Sequence, residues 1–271
     1  MSFETLHYAT ESQIATITLD RPEVRNALNY QAHDELRAAL TQAEDDDEVR
    51  AVVIRGAGPG FCAGHDLSED LSDDRPSIYA YRRQMLRDKP VVKQVWDLAK
   101  PTVAAVHGFC IGKGMELAMA CDFTLVSAGT RLGYSEVRFG VSAFCLMLPW
   151  LVGPKQAKRL LLTGDEINAE EAQRIGMITQ VVPDEELWNA TDKLARKLAL
   201  IPTELQQINK AGLNRAFELA GMDNAINWYC DLLTMETVCK CPELEEFEQR
   251  VRDDGFRAAL AWSHSRFEGL D

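Results

Sequence analysis

The stretch 107–122, HGFCIGKGMELAMACD, puts a glutamate where a routine surface acid has no place. Glu116 falls among Met115, Leu117, Ala118, Met119 and Ala120, a run with no hydrophilic face, just after Gly108, Gly112 and Gly114. The glycines allow close backbone approach, and the first amides of the helix they introduce carry a partial positive charge that attracts developing negative charge. Glu116 is therefore either a proton-handling carboxylate or an acid that merely complements the helix dipole. A second carboxylate, Glu136, closes the short segment 131–136, where an arbitrary glutamate would be a surface acid after a turn. His65 lies within the glycine-rich run GAGPGFCAGHDL, and its imidazole could act as a general base or bond the adjacent flap. That run is not a dinucleotide fingerprint, because Phe61 stands where the third glycine is needed and Pro59 interrupts any immediate helix.

The elements that must position these groups follow from periodicity. Residues 5–8 and 13–19 read as a hairpin, 30–43 as a helix with apolar residues at helical spacing, and 50–55 as a short strand leading into the glycine run. The polar stretch 68–89 reads as a mobile flap or irregular helix, followed by a helix over 91–98 and the strand 101–106 that delivers the central turn. Strands are expected at 123–127 and 178–182, and a helix at 156–162. Asn168 with Glu171 forms a capping box, with Gly176 as the stop. After residue 183 only helices are expected: 184–200, one beginning at Pro202, and two more up to residue 267. Alternation followed by helices alone is the pattern of an α/β core with a helical tail.

Composition narrows the function. A length of 271 residues with 46% apolar residues suits a globular chain with a substantial core. A formal net charge of −13 argues against a nucleic-acid partner, so an anionic ligand would need a local basic patch. No basic and apolar leader and no membrane-spanning run is evident, which places the chain in the cytoplasm as an expectation. Seven cysteines, an odd number without paired metal-ligand spacing, read as reduced thiols and imply no metal.

The segments FCAGHDL, PTVAAVHGFCIGKGMELAMACD and LGYSEVRFG, in that order and spacing, resemble the enoyl-CoA hydratase/isomerase family, the crotonases. RPEVRNALN and LLTGDEINAEEAQRIGMITQVV extend the likeness over residues 3–183. The resemblance implies an α/β fold, a crotonase-like spiral of ββα units over 1–200, and a C-terminal helical region, 201–271, that builds a homotrimer or homohexamer. It also implies stabilisation of a thioester enolate by the backbone N–H groups of His65 and Lys113, with Glu116 and Glu136 as the acid/base pair. Arg25 and Ala27 would approach coenzyme A, and Ala63, Gly64, His65, Asp66 and Leu67 would receive its adenine and pantetheine, with Gly112 beside the thioester. Arg25 read alone is as readily a surface cation, and the Lys113 side chain, where the family commonly has glycine, is either exposed or in contact with substrate.

The activity implied is hydration of an enoyl-CoA thioester, with no cofactor beyond the coenzyme A of the substrate. The alternatives are an isomerase or thioester hydrolase of the same fold, or a catalytically silent CoA-binding oligomer. Two departures stand out. Gly140 is followed by VSAFCLMLPW rather than a glycine-rich PxxGG segment, so that Phe144, Leu146 and Met147 either reshape the acyl pocket or pack the core. The last helix lacks the lysines that some relatives direct at the CoA phosphate, and Arg266 is the nearest substitute.

Overall fold

The computed structural model describes residues 3–69, 77–143, 147–239 and 241–270, apart from the side chains of 68 and 87–89. Apolar alternation in β1 (Leu6–Glu11) and β2 (Ile14–Leu19) produces the expected antiparallel hairpin, with Leu6 opposite Leu19. The helix α1 (Tyr30–Asp45) is capped by Asn29, whose side chain accepts from the Ala32 N–H, and it buries Leu36, Ala39, Leu40 and Ala43. Next come β3 (Ala51–Gly56), α2 (Ile78–Asp97), β4 (Thr102–Val106), β5 (Phe109–Ile111) and α3 (Lys113–Ala120). They are followed by β6 (Phe123–Ser127), β7 (Arg131–Gly133), a short helical turn Ser135–Phe139, α4 (Leu148–Thr163), β8 (Glu166–Asn168), α5 (Ala169–Arg174), β9 (Gln180–Val182) and α6 (Leu187–Ala199). The remaining helices are α7 (Thr203–Leu219), α8 (Met222–Leu233), α9 (Pro242–Asp254) and α10 (Phe256–Ser265).

Six strands form one sheet in the order β1-β2-β3-β4-β6-β9, parallel except for the first pair, and β5-β7-β8 form a smaller sheet. β4 runs directly into β5 and then α3, and β6 runs into β7 and then a helical turn. Each winding thus lays one strand in the large sheet and one in the small, and the bridge from Cys62 to Cys110 carries the small layer to the chain after β3. This is the ββα spiral. β4 is buried on both faces, as a central parallel strand must be. One face packs Val52, Ile54, Ala104 and Val106 against α1, α2 and α3, and the other packs Val53, Val103 and Leu125 against Leu187 and Ala195 of α6.

Two sequence expectations need correction. Where 68–89 was expected to be a mobile flap or irregular helix, with a separate helix at 91–98, one helix starts at Ile78, with the Ser77 side chain accepting from the Ala80 N–H, and runs through Pro90. Proline removes a single helical hydrogen bond, and burial of Met85, Val91, Val92 and Val95 offsets that loss. The part of the expectation at 70–76 lies outside the described residues. The tail carries α8, α9 and α10 where two helices were expected, because Gly255 (φ +86°, ψ +161°) breaks the last helical stretch in two. Met222, Ile226, Cys230 and Leu233 of α8 join the main core, whereas α7 has no buried residue. Among the described residues no helix is long and apolar enough to cross a membrane.

Candidate active site

Two loops meet beside the N-terminus of α3. In the first, Arg25 and Asn26 take positive φ (+58° and +56°), a shape fixed by hydrogen bonding. The buried Asn26 amide donates to the carbonyls of Ala57 (2.8 Å) and Gly60 (2.9 Å), while its Oδ1 accepts from the Arg21 N–H. Arg21 in turn donates to the Ala27 carbonyl at 2.6 Å and pairs with Asp66 at 2.9 Å. The second loop is thereby stitched on: Ala63 N–H donates to the Arg25 carbonyl, Leu28 N–H to Gly64, and Asp66 N–H to Leu28. In this parallel bridge the peptides flanking His65 face Leu28, which directs the His65 N–H away from it. Gly64, at φ +100°, lies so close to the start of α3 that a Cβ there would stand 3.0 Å from the Ile111 carbonyl and 3.4 Å from the Lys113 nitrogen.

Gly112 is the pivot between β5 and α3. Its φ of +54° and ψ of −120° match the first central residue of a type II′ turn, and a Cβ on it would stand 3.0 Å from Oε1 of Glu136. Glu136 therefore lies directly over the turn that opens α3. Its Oε2 is buried and, among the described residues, has no hydrogen-bond partner. Burial raises its pKa from 4.5 to about 7; its own N–H works against this, the Glu116 charge adds to it, and Lys113 opposes. Glu116, fully buried, accepts from the Tyr134 hydroxyl at Oε1 and from the Met147 N–H at Oε2, the latter at 3.0 Å.

These parts surround a cavity of about 1250 Å³. Arg25, Ala27, the run 63–67, Gly112, Lys113 and Glu136 all line it, so the residues singled out in the sequence converge on one place. Glu116 is the exception. It lies behind the cavity wall, in contact with Tyr134 and the backbone of Met147. Met147 itself is core, and Phe144 and Leu146 lie outside the described residues. Arg266 is not at the cavity: it stacks on Trp262, with a Glu243 oxygen 3.7 Å away. Arg252 and Arg257, from α9 and α10, line the cavity instead, as do Arg25 and Arg131, in a wall that also carries Glu23, Glu69, Glu166, Glu236 and Glu248; Arg131 is paired with Glu166 at 2.9 Å. Helical spacing does not reveal which face of the last helices turns inward, so those two arginines were not legible; Asn26 and Tyr134 lay within quoted motifs but carry no chemistry until their partners are seen.

Residues 9–232 match the family described as enoyl-CoA hydratase/isomerase. A crotonyl-CoA hydratase of Syntrophomonas wolfei is 34% identical over 85% of this chain and 89% of its own, and a 1,2-epoxyphenylacetyl-CoA isomerase of Escherichia coli is 34% identical over 76% and 80%. The crystal structure of an enoyl-CoA hydratase/isomerase from Xanthobacter autotrophicus Py2 superposes with a TM-score of 0.94 at 36% identity, covering 99% of this chain and 100% of the other.

Proposed function

Because the chain belongs to the enoyl-CoA hydratase/isomerase family, we propose that it adds water across the 2,3 double bond of an enoyl-CoA thioester. The observation that carries this reading is Glu136: a half-buried carboxylate with a raised pKa, set on the cavity wall against the turn that opens α3. In the proposed reaction the thioester carbonyl accepts from the N–H groups of His65 and Lys113, which hold the negative charge that develops there. The oxygen of water bonds to the β carbon, the π electrons move onto the thioester as an enolate, and the α carbon takes a proton from Glu136. The proton lost by the water returns to the carboxylate pair, Glu136 and Glu116, which restores the starting state. Arg25, Arg252 and Arg257 would receive the phosphates of coenzyme A, and the backbone of 63–67 its adenine and pantetheine. No cofactor other than the substrate's own coenzyme A enters this scheme.

Assembly follows the same reading. Leu205, Ile208 and Leu219 share one exposed face of α7, and Trp228 of α8 is 67% exposed, so a homotrimer or homohexamer would bury them.

One observation favours a second reading. Glu116 does not reach the cavity surface. Isomerisation needs only one carboxylate to move a proton between two carbons, so a double-bond isomerase fits a site in which Glu136, and not Glu116, lines the wall. Incubation with 2-enoyl-CoA and 3-enoyl-CoA thioesters separates the two: hydration yields a 3-hydroxyacyl-CoA from the first, isomerisation interconverts them, and free thiol from either would replace both with hydrolysis. In each case Glu136→Gln is expected to lower kcat by about 100-fold or more while the thioester still binds.

A further inference from the structure

Tyr134 is fully buried, two residues before Glu136 in the chain, and its hydroxyl donates to Glu116 Oε1. The other Glu116 oxygen accepts from the Met147 backbone at 3.0 Å. A carboxylate held by two donors, one on each oxygen, is stabilised in its ionised form, because each bond is stronger to the anion than to the acid. Glu136 stands in the opposite condition, with Oε2 buried and without a hydrogen-bond partner among the described residues. We propose that Tyr134 is a positioning residue that fixes Glu116 as the ionised member of the pair and so leaves the exchangeable proton on Glu136, at the cavity wall. This deepens, and rests on, the reading of Glu136 as the group that exchanges a proton with substrate.

The charged and titratable groups around the pair are consistent with that division. Lys113, from α3 itself, is buried and its charge favours an ionised neighbour; it acts on Glu136 as an opposing influence that burial outweighs. Cys110, from β5, has its thiol pushed well up by burial and by the neighbouring Cys62, Cys121 and Glu116, so it stays neutral. From the described part of the loop before α4, the uncharged Met147 N–H donates to Glu116. Two carboxylates sharing a buried site hold one proton between them over a wide pH range, and which one carries it is set by such donors. Loss of the Tyr134 hydroxyl removes the donor on one side alone.

The test reads proton location directly and does not depend on turnover. Infrared spectra of the purified protein near pH 6 should show a protonated-carboxyl stretch that Glu136→Gln abolishes and Glu116→Gln leaves in place. In a Tyr134→Phe background, which keeps the ring and hence the packing, the stretch should survive Glu136→Gln, because Glu116 now takes the proton. Should the phenylalanine variants fail to fold, the two single glutamine variants still decide which carboxyl is protonated. The proposal is overturned if Glu116→Gln removes the stretch, or if the folded double variant Tyr134→Phe, Glu136→Gln has none. Absence of any reaction with enoyl-CoA would count against the hydratase reading and leave the infrared result standing.

Discussion

At the scale of single residues, Glu136 governs how the protein responds to pH. Its folded pKa, about 7, stands above the ordinary 4.5, so the native state binds more protons than the unfolded chain between those values. Its contribution is harmless below 4.5, grows unfavourable as pH rises from 4.5 to about 7 and is level above that, at a cost of order 1–3 kcal/mol. Glu136→Gln is accordingly expected to be more stable than the parent at pH 8 and nearly equal to it at pH 4, as urea denaturation would measure. Activity has the opposite need. The competent site holds one proton across the carboxylate pair, so kcat/KM should fall as pH rises through about 7. It should do so equally for hydration and for the reverse dehydration, since their ratio is an equilibrium constant in which no proton appears. Gly112→Ala forces a side chain into φ +54° with its Cβ 3.0 Å from the Glu136 carboxylate. A loss of about 1–2 kcal/mol in stability and a kcat loss larger than any change in KM are expected from denaturation and steady-state kinetics. Both carboxylates were legible in the sequence, because an acid inside an apolar helix and an acid within an ordered motif are local facts. That only Glu136 reaches the cavity was not, since it depends on Tyr134 and Met147 reaching Glu116 from other elements.

At the scale of elements, the cavity is closed by helices that come from far along the chain. α9 lies on the turn carrying Glu136 through Phe247, which stacks on Phe139 with ring centroids 4.4 Å apart, and α10 adds Phe256 edge-on to Phe247 at 5.9 Å. The stacked, buried Phe139–Phe247 pair contributes area plus a further ~0.5–1.5 kcal/mol. Phe247→Ala should therefore destabilise the protein by about 3 kcal/mol or more and raise KM by loosening both helices, seen as faster amide exchange confined to α9 and α10. The arginines on the same helices give a sharper expectation. Arg252→Ala and Arg257→Ala should raise KM for a CoA thioester by about tenfold and scarcely change it for a pantetheine thioester, which lacks the 3′-phosphate and pyrophosphate. Equal effects on both would remove these residues from the phosphate site. The strands of the large sheet and the Asn168 cap were read correctly because their patterns are local, whereas the three-residue strands β5, β7 and β8 were not expected; Asn168 does accept from the Glu171 N–H at 2.9 Å. The start of α2 was missed because Arg82 and Arg83 on its outer face and Pro90 within it mask the buried stripe of Met85, Val92 and Val95.

At the scale of the whole molecule, the spiral brings together groups separated by more than a hundred residues in sequence, and this explains what a sequence can and cannot disclose. The order of the three motifs carried the fold and, with it, the meeting of 63–67 with Lys113. The inward face of α9 and α10 is a tertiary fact with no local signature. The exposed face of α7 belongs to the same scale. Leu205→Glu together with Ile208→Glu should convert a sedimenting trimer or hexamer to monomers, and an unchanged sedimentation coefficient would place the interface elsewhere. The claim on which the rest depends is that Glu136 protonates the α carbon while water attacks the β carbon of an enoyl-CoA. The direct measurement is incubation of the protein with short, long, branched and aromatic enoyl-CoAs in heavy-oxygen water, with product mass followed alongside loss of the conjugated-thioester absorbance. Heavy oxygen in a 3-hydroxyacyl-CoA, lost in a folded Glu136→Gln variant, is the expected result. Label formation undiminished by that substitution, or consumption of every thioester without label, would contradict it.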